Sequence, residues 1–270
     1  MTPDAFWEFQ RAGWDRAAAY YDEYWTDTRL FVEPLIDAAG VRAGSRVLDV
    51  ACGPGYVSEA AASRGADAVG VDVAPAMVQH ARTRCPVLTF LEGDAQRLAF
   101  EDAGFDAVTM NFGILHLSQP ATALAEACRV LRSGGRLAFT AWVEEGNAEA
   151  QIVDAAIQAH ALPVELPEGP SYYGFADHDA AARVLGETGF DADSLRMETV
   201  TVPWRVPTVE LLFDAQVKAG VRVGAVLRAQ PPERLRAIRE AMAEGVARYA
   251  DGDGFTLPIV ARVISAQPRD

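Results

Sequence analysis

The sequence predicts an α/β protein built on a doubly wound, mostly parallel sheet. From Arg46 to Val143, short runs rich in β-branched residues alternate with helical stretches, the pattern of parallel strands joined by crossover helices. Those runs are mostly apolar, as expected of strands covered on both faces. The first of them breaks into a glycine turn, "VLDVACGPGY", where such sheets place ligands.

The elements follow in order. Residues 1 to about 40 form a helical lead-in crowded with aromatics, including Trp7, Trp14, Tyr20, Tyr21 and Trp25. "RVLDVAC" is the first strand, and an Ala-rich helix runs from the glycine turn to Arg64. "AVGVDV" and "PAMVQHARTR" are the next strand and helix, followed by the strands "VLTFLEGD" and "FDAVTMNFG". The helix "PATALAEACRVLR", a turn "SGG" and the strand "RLAFTAWV" complete residues 41–145, the ligand-binding core. Beyond it, Pro163, Pro167, Gly169 and Pro170 mark an irregular stretch, and "DHDAAARVLGETGF" reads as a helix ended by Gly189. "METVTVPWRV" is a strand, 207–250 is helical, and "FTLPIVARVIS" is the last strand. In the helical part Leu235, Ile238, Met242, Val246 and Tyr249 fall at spacings of three and four, one apolar face. Residues 146–270 thus hold the rest of the sheet with helical cap insertions at about 150–180 and 207–250, and 1–40 forms a lid.

Half of the 270 residues are hydrophobic, enough for a large core. A formal charge of −14, with no dense cluster among the 24 Lys and Arg, argues against nucleic acid or an anionic lipid surface as partner. Cys52, Cys85 and Cys128 lack the close spacing of zinc or redox motifs, so no metal is expected. The first residues carry Asp4, Glu8 and Asp15 where a secretory signal needs a basic start, which predicts a cytoplasmic protein. The longest uncharged run, Ala107 to Ala125, contains Asn111, His116 and Pro120 and is no membrane span.

Gly53 and Gly55 let the backbone turn sharply and approach a ligand. Asp72 ends the second strand, where a carboxylate can accept from two ribose hydroxyls. A nicotinamide dinucleotide is disfavoured: the third glycine of its GxGxxG fingerprint is Ser58 here, and Asp49 before the turn would repel a pyrophosphate. A cationic, phosphate-free nucleoside fits better, and S-adenosylmethionine is one.

The segment resembles the class I S-adenosylmethionine-dependent methyltransferases, in particular the small-molecule group similar to the ubiquinone/menaquinone C-methyltransferases. "VLDVACGPG", "GVDVAPAMV", "LEGDAQRLAF", "FDAVTMNFGILHL" and "RVLRSGGRLAF" resemble that family's successive motifs, in order, over about residues 45–143. The resemblance implies a Rossmann-like sheet with an antiparallel last strand. It implies that Asp49, Ala51, Gly53 and Gly55 line the methionine half of the donor and Asp72 its ribose. Val73 and Met77 would pack on the adenine, Asp94 and Ala95 would contact its edge, and Asn111 would close the site. S-adenosylhomocysteine would be the product.

Methyl transfer from a sulfonium asks mainly for alignment and exclusion of water, and a base only where the acceptor arrives protonated. His116, in "NFGILHLSQP", is the candidate base, because imidazole titrates near neutrality. Tyr20, Tyr21, Trp25 and Tyr173 are the candidate substrate contacts, as aromatic surfaces that could enclose a planar or greasy acceptor. The Asn/Asp-Pro-Pro-aromatic run of many amino-methylating enzymes is replaced by "NFGI", which favours a small acceptor methylated at oxygen or carbon: aromatic, polyketide-like or isoprenoid. The alternatives are a non-methylating enzyme of cyclase type on the same scaffold, or a non-catalytic module that only binds the donor.

Overall fold

The structure is a computed structural model and describes residues 4–269. The lead-in comprises α1 (Ala5–Ala17), α2 (Tyr21–Tyr24) and α3 (Val32–Ala38). α1 starts at Asp4, whose side chain accepts from the Trp7 N–H at 2.6 Å. Then come β1 (Arg46–Val50), α4 (Tyr56–Ser63), β2 (Asp67–Asp72), α5 (Pro75–Arg84, with Pro75 in its first turn), β3 (Thr89–Glu92) and β4 (Phe105–Met110). α6 (Pro120–Val130) leads into β5 (Leu131–Trp142), and α7 (Ala148–His160) and α8 (His178–Glu187) follow. The chain ends with β6 (Arg196–Val206), α9 (Val209–Asp214), α10 (Arg222–Arg228), α11 (Pro232–Val246), β7 (Ala250–Asp251) and β8 (Gly254–Ala266).

The sheet runs β3-β2-β1-β4-β5-β8-β6, with β7 paired to β8. β3 to β5 are parallel, and β8 lies antiparallel between β5 and β6. Strand order reverses between β1 and β4, and a crevice opens there at the strands' carboxyl ends. One face is packed with Phe31, Leu48, Leu124, Phe139 and Phe190, the other with Leu35, Ile36, Val47 and Ala61, all fully buried.

Two local expectations are modified. The "SGG" turn lies within β5, which bulges between Leu131 and Arg136 while its partner β4 advances only from Phe105 to Ala107. The region 207–250 is broken: α9 runs into a π-helical turn at Ala215–Ala219 that stops at Gly220, where a Cβ would lie 2.4 Å from the Gln216 carbonyl. Only glycine fits that stop.

The lead-in covers the crevice. The indole of Trp7 donates to Asp94 at 2.9 Å, the Asp15 carboxylate accepts from the Ala76 N–H at 2.8 Å, and the Trp25 indole donates to the Ala219 carbonyl at 3.2 Å. His80 of α5 meets Asp22 at 3.0 Å and the Ala18 carbonyl at 3.2 Å. That histidine serves the lid.

Candidate active site

The reversal point holds a cavity of about 350 Å³, a size that suits a small organic ligand. Its floor is the strand ends. Ala51 and Gly53 follow β1, Asp72 and Val73 end β2, Met77 comes from α5, and Asn111 to Gly113 follow β4. The backbone is strained here: Ala51 has φ +52° and Phe112 φ +55°, left-handed values that non-glycine residues rarely adopt. The two bends pack together, since a Cβ on Gly113 would stand 2.6 Å from that of Ala51.

Asp72 ties the floor together. Its Oδ2 accepts from the Gly53 N–H and its Oδ1 from the Ala74 N–H, both at 2.9 Å, so the end of β2 holds the glycine turn of β1. Gly53 has φ +51° and open space where a Cβ would stand, so the floor is free for a ligand to lie against it. Gly55, at φ +84°, faces inward: a Cβ there would meet the Phe90 ring at 2.7 Å.

Asp49 is fully buried and does not face the cavity. Its Oδ2 accepts from the Ser58 N–H at 3.1 Å and the Ser58 hydroxyl at 2.8 Å, and Oδ1 from Thr109 at 3.2 Å. Ser58, the residue that breaks the dinucleotide fingerprint, is therefore Asp49's partner. Burial pushes the Asp49 carboxyl up to about 7 against those hydrogen bonds, and burial also raises Asp72.

Of the residues singled out from sequence, the cavity wall gathers Ala51, Gly53, Asp72, Val73, Met77, Asn111, His116, Tyr21, Trp25 and Tyr173. It does not include Asp49, Gly55, Asp94, Ala95 or Tyr20. Asp94 holds Trp7 through Oδ2 and caps the Gln96 N–H through Oδ1 at 2.8 Å, and Ala95 is buried beside it. Tyr20 is 39% exposed and leans on Tyr24, with ring centroids 6.5 Å apart. Lead-in residue 20 points outward because the turn that carries it continues into α2, whose next residue, Tyr21, takes the inward face.

The upper walls are aromatic. Phe112 stacks on Trp142 at 3.7 Å with planes 15° apart. His116 lies edge-on to Trp14 at 4.7 Å and to Tyr172 at 6.1 Å, and Tyr172 packs on Tyr173 at 5.2 Å. Enclosure among these rings pushes the His116 imidazole down to about 4, so it is a weak proton acceptor.

Several polar wall residues escaped the sequence reading: Gln10, Asp27, Glu149, Asp154 and Gln216. Gln10 precedes Trp14 by one helical turn, a spacing that puts both on one face and could have exposed it. Glu149 and Asp154 stand on α7, directly after the carboxyl end of β5. Asp27, in "WTDT", carries no local signal at all. Burial pushes Asp27 up to about 7 and Glu149 up to about 8, the latter also through the charge of Asp27. Among the described residues, no three His, Cys, Asp or Glu side chains gather into a metal site, and no helix is long and apolar enough to cross a membrane.

A doubly wound sheet with an antiparallel strand beside β5, and a glycine turn bound to an acidic residue at the end of β2, defines the nucleoside-binding α/β class to which methyltransferases belong. Comparison with known proteins narrows this. A family model described as a methyltransferase domain matches residues 48–139. A demethylmenaquinone methyltransferase of Renibacterium salmoninarum is 34% identical over 180 residues, 63% of this chain and 76% of that protein. Another of that name, from Beutenbergia cavernae, is 46% identical over 109 residues, 40% of this chain; the match spans only 45% of that relative. The crystal structure of the YcgJ protein from Bacillus subtilis superposes with a TM-score of 0.56 at 20% identity, covering 88% of this chain and 98% of that one, and so shares the fold. The chain belongs to the class I S-adenosylmethionine-dependent methyltransferases.

Proposed function

We propose that this chain transfers a methyl group from S-adenosylmethionine to oxygen or carbon of a small, largely apolar acceptor of aromatic, polyketide-like or isoprenoid character. The observation that carries the reading is continuity: one cavity runs from the open face of Gly53 and the carboxylate of Asp72 to the rings of Trp14, Trp142 and Tyr172. The first end suits a nucleoside and the second an apolar acceptor. The names of the demethylmenaquinone methyltransferases support a quinol-like acceptor.

When bound, the donor supplies a methyl group on a sulfonium. The residues present fit it: Ala51 and Gly53 beside the methionine half, Asp72 at the ribose, Val73 and Met77 against the adenine, and Asn111 at the reacting end. Asp94 and Ala95 lie off the cavity wall, with one Asp94 oxygen taken by the Trp7 indole. Asp49 acts through the turn it braces. The aromatic walls hold the acceptor in line and keep water out. Tyr21, Trp25 and Tyr173 are its nearest candidate contacts. A small-molecule partner and a cytoplasmic location belong to the same reading.

The test is calorimetric titration with S-adenosylhomocysteine, then incubation of labelled S-adenosylmethionine with naphthalenediols, phenols and isoprenoid acceptors. Micromolar uptake of the nucleoside and label in one acceptor class are expected. No uptake, or uptake without any methylated product, removes the reading.

A further inference from the structure

Asp27 is only 2% exposed, lines the cavity, and its Oδ1 makes no hydrogen bond. An unpartnered carboxyl oxygen is costly to bury and marks a position prepared for a ligand group. Its place is informative. The carbonyl of the next residue, Thr28, accepts from Asn111 Nδ2 at 3.0 Å, which sets Asp27 beside the end of β4 where the donor's reacting end is proposed. Gln10, on the wall of the same cavity, is 3% exposed with neither amide atom partnered, a second buried polar group without a partner of its own.

We propose that Asp27 is a catalytic base, and that the acceptor is a neutral hydroxyl compound of the phenol or enol class whose O–H meets Asp27 Oδ1. This rests on the methyltransferase reading and narrows its acceptor. In the step, the acceptor's O–H bond breaks and its proton passes to Asp27. The oxygen's electron pair forms the new bond to the methyl carbon, and the carbon–sulfur pair stays with sulfur. Gln10 offers an N–H and a carbonyl to a second polar group on the acceptor.

The surroundings suit that role. Tyr21 of the lead-in, Glu149 of α7 and Tyr172 face Asp27 closely enough to feel its charge. Farther round the wall stand Asp72, Asp154, His116 and the cation Arg222, whose guanidinium donates to the Pro167 carbonyl at 2.9 Å. So many carboxyls repel an anionic acceptor and accept a neutral one. Burial brings Asp27 to about 7, a proton affinity matched to a phenol, whereas His116 at about 4 is a poorer acceptor.

The experiment pairs naphthalene-1,4-diol with 4-nitrophenol, which ionises by itself near neutrality. Asp27→Asn should slow methylation of the diol by ~100-fold or more at neutral pH, the range for loss of a general base. The loss on 4-nitrophenol should be far smaller. A readout free of turnover is the binding of 4-nitrophenol to protein saturated with S-adenosylhomocysteine: in the wild type it should weaken as pH rises, because ionised Asp27 and the other wall carboxyls repel the phenolate, and Asp27→Asn should make that trend shallower. Equal losses on both acceptors, no loss, or an unchanged binding trend overturn the proposal. Should Asp27→Asn fail to bind S-adenosylhomocysteine, the wild-type binding trend decides alone, and its absence overturns the proposal. A wild type that binds S-adenosylhomocysteine but methylates neither acceptor overturns the acceptor class and leaves the methyltransferase reading standing; one that binds no nucleoside sinks both.

Discussion

The indole N–H of Trp7 donates to the Asp94 carboxylate at 2.9 Å across 87 positions of sequence, and so latches α1 onto the loop after β3. The Asp15 to Ala76 bond anchors the same helix farther along, so one latch can open without releasing the lid. Trp7→Phe is expected to cost ~1 kcal/mol of stability, the usual worth of one hydrogen bond. Amide exchange should quicken in Ala5–Ala17 and stay unchanged in β1 and β4. Equal acceleration in the strands would mean the latch supports the whole fold rather than the lid.

Gly53 and Gly55 make opposite predictions from one turn. Both have positive φ, so alanine at either costs ~1 kcal/mol of backbone strain. At Gly53 the new methyl enters open cavity, and the expected result is a folded protein with S-adenosylhomocysteine binding weakened by tenfold or more, on the order of 1.4 kcal/mol. At Gly55 it meets the Phe90 ring at 2.7 Å, so overpacking adds ~1–3 kcal/mol and the melting temperature falls further. Melting curves and calorimetry on the two variants check the contrast, which disappears if both lose stability alike.

The buried carboxyls fix a pH response. Asp27 and Asp49 move from the ordinary carboxylate range up to about 7 because burial favours their neutral forms. Their contribution to stability is therefore complete below the ordinary carboxylate range and is lost as pH rises through about 7. The melting temperature should fall between pH 4 and 7 more steeply in the wild type than in Asp27→Asn. Binding supplies the converse. S-adenosylmethionine carries a sulfonium that its demethylated product lacks, so its affinity relative to the product should rise severalfold from pH 6 to 8 as these groups ionise. A ratio that does not change with pH would place the ionisations away from the donor.

The fold was readable because its signals are local and repeated: apolar runs, crossover helices and a glycine turn recur from Arg46 to Trp142 at the spacing the sheet needs. The floor of the site follows from the same pattern, since Gly53, Asp72 and Asn111 stand at strand ends that topology brings together. The upper walls do not follow. Asp27 and Glu149 meet across a cavity formed by a loop of the lead-in and the start of α7, and no periodicity in either segment encodes that meeting. Tyr20 and Tyr21 show the limit most plainly: adjacent tyrosines with equal claims, of which only Tyr21 faces inward. Asp49 is legible as important, but its partner Ser58 lies nine residues on, in the first turn of α4, so the bracing role emerges only from the geometry.

His116 supplies the last test, because composition made it the natural base and geometry argues otherwise. Its ring is packed edge-on between Trp14 and Tyr172, and that enclosure holds it neutral down to about 4. A histidine in this state shapes the aromatic wall, and phenylalanine should replace most of that packing. His116→Phe is therefore expected to keep methylation within ~10-fold of wild type, less than the 10²–10⁴ that general-base catalysis supplies. Its rate–pH profile above pH 5 should overlay that of the wild type, since the imidazole has already lost its proton there. The measurement is single-turnover methylation of naphthalene-1,4-diol across pH for His116→Phe beside Asp27→Asn. Loss of the pH dependence in the histidine variant alone would return the base to His116 and leave Asp27 as a binding group.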